Sequence, residues 1–219
     1  MHRTRDDALL ARARVARLWP LTAAGVAALL VAALAVLVLL VDTPFETDTE
    51  WMATVREDPN AVLMYVSFVM DVIGGGVIAW AIIPLGGAVA FLLARRPIAA
   101  SYWLVSLAAS AAVVQGVKQL VGRERPLEML VVSDHGSFPS GHTANAATIA
   151  IVLGIVLQRA WVWVVGVLGI VVMALSRTYL GAHWLTDTLG GALIGVCIAI
   201  IVWAPLGVPL LKERLRPRQ

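Results

Sequence analysis

Apolar residues in this chain fall into long runs, and polar residues into a few dense interruptions. Leu21–Val41 runs 21 residues without a charge, enough for a membrane-crossing helix, which needs about 20. Residues 42–60 are acidic and polar and read as an external loop. Ala61–Ala94 is 34 residues, longer than one crossing and too short for two with a turn between them. Asp71 divides it. Ala61–Met70 is expected to lie along the membrane surface. Val72–Ala94 is expected to cross, with Gly74-Gly75-Gly76, Pro84 and Gly86-Gly87 allowing close packing and a kink. Further crossings are expected at Ile98–Val117, Thr143–Leu157, Ala160–Leu175 (with Trp161 and Trp163 as interface anchors) and Thr188–Trp203. Pro205 and Pro209 are expected to lead out of the last one.

The pattern therefore predicts an all-α integral membrane protein with six transmembrane helices. Short alternating segments, the signature of a membrane β-barrel, are absent. The first run exceeds the roughly 7–15 apolar residues of a secretory leader and exits through Val41-Asp42-Thr43-Pro44, so a retained helix is expected. Composition agrees. The 219 residues are 60% hydrophobic and 14% charged, whereas a soluble domain carries about 25% charge. The single Cys197 excludes an intrachain disulfide.

Net charge, +3, changes little, but its distribution gives orientation. Both termini placed in the cytoplasm put twelve Lys and Arg on the inner side and five on the outer, as the positive-inside rule asks. On this reading residues 1–20 are a cytoplasmic basic arm that orients the first helix rather than a nucleic-acid-binding segment. Residues 21–205 are the six-helix domain, and 206–219 a cytoplasmic basic tail. Four of the five outer cations lie in two polar stretches, Lys118–His142 and Ser176–Asp187. Orientation does not account for them; an anionic ligand outside the membrane does.

The residue types in these stretches suit a phosphate. Lys118 and Arg125, seven apart, reach one side if the helix continues to Pro126. In Pro139-Ser140-Gly141-His142, Ser140 is a candidate N-cap and Gly141 lets backbone approach a ligand closely. A helix N-terminus is itself an anion site. Arg177 offers a guanidinium fork. His183 and Asp187 are one helical turn apart, so the carboxylate can accept the Nδ1 hydrogen and leave Nε2 as a nucleophile. A metal held by His142, His183 and Asp187 is disfavoured by the three cations beside it. Arg123 and His135 read as solvated loop residues, and Asp71 as a solvated acid at a helix mouth. Leu127–Ser137 carries no motif and is the expected place for substrate discrimination.

Together, Lys118-x6-Arg125-Pro126, Phe138-Pro139-Ser140-Gly141-His142 and Ser176-Arg177-x5-His183-x3-Asp187 resemble the three-part signature of the type-2 phosphatidic acid phosphatase superfamily, in its bacterial membrane branch. That family includes membrane lipid phosphatases, soluble acid phosphatases and vanadium haloperoxidases. The signature covers residues 118–187. The resemblance implies that His183 forms a phosphohistidine and that Asp187 orients it. His142 would protonate the leaving oxygen and then activate water. Lys118, Arg125, Arg177, Ser140 and the Gly141 N–H would cradle the phosphate. No cofactor or metal is implied.

The expected function is thus a lipid phosphatase of the bacterial plasma membrane with its catalytic site at the outer face. The expected substrates are undecaprenyl pyrophosphate, phosphatidylglycerol phosphate or phosphatidic acid, the first preferred. The alternatives are a lipid phosphotransferase, which shares the intermediate, and a non-catalytic phospholipid or anion transporter. A transporter has no need of His183, Asp187 and His142 at these spacings.

Overall fold

The computed structural model describes residues 18–216 apart from Asp42, Asp58 and Asp134. Most of the expected N-terminal arm and the last three residues of the tail lie outside these limits. The described residues form helices and no strand: α1 (Leu18–Leu40), α2 (Glu46–Glu57), α3 (Ala61–Gly74), a π-helical turn (Ile78–Ile82) continuing into α4 (Ile83–Leu93), α5 (Pro97–Val121), α6 (Gly141–Leu157), α7 (Ala160–Tyr179) and α8 (Leu185–Leu215).

Helices α1, α5, α7 and α8 are each long and apolar enough to cross a membrane, and the α3–α4 pair, bent by 49°, passes the same test as a fifth crossing. At 17 residues, α6 is shorter than these. Many apolar side chains on the helices point outward, among them Leu29, Leu40, Val164 and Leu168. In water such a surface would aggregate; in lipid it costs nothing. This is a multi-pass membrane protein.

Two expectations about element ends change. The break in the second apolar run falls at residues 75–77 rather than at Asp71, so Ala61–Met70 belongs to a longer helix, α3, which is one arm of a bent pair. Gly75, extended, and Gly76, with φ of 51°, interrupt the helix there, and the π turn follows. The last helix runs on through Pro205 and Pro209 to Leu215. Its buried Glu213 accepts from the main-chain N–H of Ile98 (2.6 Å) and Ala99 (3.2 Å). The carboxylate thereby caps the first turn of α5, whose N–H groups have no helical partner.

Two contacts fix the helices that carry chemistry. At the end of the bundle away from the polar stretches, Tyr102, Trp103, Phe91, Val152, Val156 and Ala199 form a buried cluster. Tyr102 donates to the Ala199 carbonyl (2.9 Å) and Trp103 Nε1 to that of Pro84 (3.0 Å). At the other end, α8 lies against α6 with no side chain between the backbones. A Cβ on Gly191 would collide with the Ser140 carbonyl, and one on Gly195 with that of Ala144. The Gly191-x3-Gly195 spacing is the small-residue face on which membrane helices approach closely.

Candidate active site

Chain direction alone brings the polar stretches to one end of the bundle: α5 and α7 end there, and α6 and α8 begin there. The turn before α6 contains a cis Phe138–Pro139 bond. Ser140 caps α6 as expected, accepting from the Thr143 N–H and hydroxyl at 3.5 and 3.2 Å. Its own N–H donates to the Asp187 carbonyl (2.9 Å). That one bond ties the Pro-Ser-Gly-His turn to the start of α8, and so to His183.

Lys118 and Arg125 do converge, though not on a continuous helix. Gly122, with φ of 60°, ends α5 four residues past Lys118, ahead of Pro126. The chain then doubles back, so that Lys118 Nζ and Arg125 Nη2 both donate to the Gly136 carbonyl at 2.8 Å. Arg125 Nη1 donates to the Ala182 carbonyl (2.5 Å) and faces His183 Nε2 at 3.4 Å.

His183 is almost wholly buried. Its Nδ1 lies 2.7 Å from the Ser137 carbonyl. A carbonyl can only accept, so Nδ1 carries the hydrogen and Nε2 presents a lone pair. Asp187 was expected to do this, but its nearer oxygen is 3.7 Å from Nδ1, too far for a hydrogen bond. Both of its oxygens are engaged elsewhere: Oδ2 accepts from the Trp184 N–H (2.8 Å) and Oδ1 from Arg123 (2.6 Å). At that distance Asp187 and His183 share no proton.

Burial pushes the His183 imidazole below the usual histidine range, with Arg125 and Lys118 acting the same way and Asp187 partly opposing them. A lowered pKa means that the neutral ring outlasts a free imidazole as pH falls through about 6.5. We expect nitrogen-15 NMR of histidine-labelled protein to find that His183 takes up its proton at lower pH than the exposed His135. A His183 that protonates at higher pH than His135 would contradict the arrangement.

His142, in the first turn of α6, directs Nε2 at the Asp71 carbonyl (3.2 Å) and lies 3.6 Å from the Asp71 carboxylate. Asp71 is not a free solvated acid: its Oδ1 accepts from Arg177 Nη1 at 2.6 Å. The bend of α3–α4 makes room for the imidazole. A Cβ on Gly74 would stand 2.6 Å from His142 Cδ2, and one on Gly75 3.1 Å from Nε2. Arg177 is buried, and its Nη2 has no protein partner among the described residues. A buried guanidinium nitrogen left this way is a donor that an anion or an ordered water can satisfy.

Arg123 is not a solvated loop residue: its side chain is 8% exposed and bridges two carboxylates, Asp48 of α2 (2.7 Å) and Asp187 (2.6 Å). Asp48, fully buried, also accepts from the Thr186 N–H and hydroxyl at 2.9 and 2.7 Å. The acidic stretch read as an external loop thus contains a helix plugged into the site. The only sign of it in the sequence is Asp48 and Met52, one turn apart, which share its buried face. His135 is exposed.

A cavity of about 650 Å³ opens onto Lys118, Gly141, His142 and His183, and is lined farther along by Pro84, Leu85, Leu104 and Leu107. Val132 and Ser133 reach its mouth. A smaller apolar cavity of about 280 Å³ lies on the other side of the bend and also touches His142. Among the described residues no three His, Cys, Asp or Glu side chains gather as metal ligands would.

Residues 99–206 match the family model of the PAP2 superfamily. The chain is 32% identical over 133 residues to the decaprenylphosphoryl-5-phosphoribose phosphatase of Mycobacterium tuberculosis, covering 57% of this chain and 70% of that protein. The chain belongs to the PAP2 superfamily. Other PAP2-related matches are shorter. Phosphatidylglycerophosphatase B of Bacillus subtilis is 33% identical over 96 residues, 39% of this chain and 47% of its own length. An undecaprenyl-diphosphatase of Sulfolobus acidocaldarius is 35% identical over 65 residues, 30% of this chain and 31% of its own. The chain therefore spans less than half the length of these two relatives.

The PAP2 fold extends beyond the signature. The crystal structure of the transmembrane PAP2-type phosphatidylglycerolphosphate phosphatase from Bacillus subtilis superimposes with a TM-score of 0.70 at 21% identity, covering 90% of this chain and 98% of that one. LpxE of Aquifex aeolicus gives 0.63 at 22% identity, covering 72% of this chain and 95% of that one.

Proposed function

We propose that this protein is a membrane lipid phosphatase that works through a phosphohistidine on His183. The observation that carries the reading is the cavity itself: two histidines and Lys118 stand at one end and an apolar wall at the other, the shape of a phosphorylated lipid. His183 Nε2 attacks phosphorus and the bond to the leaving oxygen breaks, while His142 delivers a proton to that oxygen. Water then attacks the phosphohistidine as His142 takes its proton, the P–N bond breaks, and inorganic phosphate leaves. Lys118, Arg125 and Arg177, with Ser140 and the Gly141 N–H, hold the equatorial oxygens, where phosphoryl transfer needs charge stabilised. The Arg177 nitrogen without a protein partner suits one of those oxygens.

Among lipid phosphates we favour an isoprenoid diphosphate over phosphatidylglycerol phosphate and phosphatidic acid. The relative named an undecaprenyl-diphosphatase supports that order, the one named for a decaprenylphosphoryl-phosphoribose supports the isoprenoid tail alone, and the B. subtilis relative supports the second. The orientation proposed is six crossings with α6 as the short one, residues 1–20 and 206–219 cytoplasmic, and the site facing out of a bacterial plasma membrane. The test is a side-by-side turnover panel of the three lipids in EDTA with the reconstituted protein. Phosphate release is expected from at least one, fastest from the isoprenoid diphosphate. Absence of release from all three, with release restored only by Mg²⁺, would overturn the metal-free cradle.

A further inference from the structure

The reaction uses His183, His142 and three cations, yet a densely bonded polar cluster lies one layer behind them. Arg123 gives one arm to Asp48 and the other to Asp187, and its Nη1 also donates to the Thr186 hydroxyl (2.8 Å). Its guanidinium is sandwiched between the rings of Phe45 (5.2 Å) and Trp184 (5.7 Å). Asp48 closes the loop by accepting twice from Thr186. Three separate pieces of chain meet here: α2, the segment after α5, and the first turn of α8. Desolvation on this scale is costly unless every lone pair is used, and here the oxygens of both carboxylates are occupied. Nothing in the cluster touches the cavity.

What the cluster does hold is Asp187. With one oxygen on Arg123 and the other on the Trp184 N–H, the carboxylate is fixed 3.7 Å from His183 Nδ1, leaving that hydrogen to the Ser137 carbonyl. Resting on the proposed roles of His183 and Asp187, we infer that Arg123 and Asp48 are positioning residues for the phosphoryl-transfer step: they hold the Asp187 charge at a fixed distance behind His183, and the Arg123 carbonyl, accepting from the Ser137 N–H (2.7 Å), keeps in place the Ser137 carbonyl that orients the imidazole. Helix α2 is thereby a working part of the site and not a surface element. An Arg123 that lost Asp48 would keep its charge but lose its aim.

The experiment compares Asp48→Asn, Thr186→Val, Arg56→Gln and His183→Ala in the full-length protein, reconstituted in lipid. Asp48→Asn is isosteric but uncharged. Its kcat is expected to fall about tenfold to 100-fold, the scale of a small misplacement behind a reacting group. KM and affinity for inorganic phosphate should stay near the parent's; the thermal midpoint should fall, because Arg123 loses a buried charged partner, and kcat is read well below it. Thr186→Val, which removes only the hydroxyl link, should fall between Asp48→Asn and the parent. Arg56→Gln cuts the exposed Arg56–Glu128 ion pair (2.8 Å), a second anchor of α2 that does not lead to Asp187, and should leave kcat unchanged. Full kcat in Asp48→Asn, beside an inactive His183→Ala, overturns this inference and leaves the site reading standing. So does a kcat loss that Arg56→Gln reproduces. An active His183→Ala sinks both readings.

Discussion

His183→Ala should release no phosphate from any lipid phosphate above background, while inorganic phosphate still binds. The argument rests on which atoms remain. Lys118, Arg125 and Arg177 come from other segments and keep their own partners, Gly136, Ala182 and Asp71, so the anion site survives the loss of the ring. The nucleophile does not, and no other group stands in its place: the nearest alternative, His142, directs its Nε2 toward Asp71. We expect kcat to fall by at least about 10⁴-fold, comparable to removal of the nucleophile from other enzymes that form a covalent intermediate. A terminally labelled substrate, quenched during turnover, should leave label on the protein that is stable to base and labile to acid, as a phosphoramidate is, and His183→Ala should carry none. His142→Ala should instead lose about 10²–10⁴-fold, the usual worth of a positioned proton donor. It should retain some label when the leaving group needs little help. Label retained by His183→Ala would move the nucleophile elsewhere.

Much of this was legible in the sequence because it is encoded in side chains at fixed spacing. Runs of apolar residues announce helices, and Lys118, Arg125, Ser140, His142, Arg177, His183 and Asp187 fall at one end of the bundle as expected. What escaped is of another kind. The partner of His183 Nδ1 is the Ser137 carbonyl, a backbone atom that no residue type advertises. The helix bearing Lys118 stops at Gly122 rather than Pro126, because a left-handed glycine can end a helix before a proline has to. Asp48 and Arg123 looked solvated because charge in a polar stretch usually is; only their pairing across 75 residues removes them from water. Asp71 looked like the divider of an apolar run, whereas the chain actually bends at the glycines after it, where the His142 ring needs the space.

The second large effect is expected from one methyl group that meets only main chain, at the turn carrying Ser140 and His142. Gly191 lies on α8 beneath the Ser140 carbonyl, and an added Cβ would also stand 3.3 Å from the Ala144 N–H. These are backbone atoms at the N-terminus of α6, fixed by the cap and by the Ser140 N–H bond to the Asp187 carbonyl. No rotamer change can make room, so the helices must part. Gly191→Ala should cost about 1–3 kcal/mol or more, the range for overpacking a close-packed contact, and lower the thermal midpoint. Its catalytic cost should exceed its stability cost, because the same contact sets His142 on α6 against His183 ahead of α8. Separation by a fraction of an ångström misaligns donor and nucleophile together. We expect at least a tenfold loss of kcat in the folded fraction. Gly169→Ala is the control. A Cβ there meets nothing within 4 Å, and alanine is the better helix former by about 1 kcal/mol, so that variant should be as active and no less stable. Equal behaviour of the two variants would show that α6 and α8 tolerate a wider spacing than the site requires.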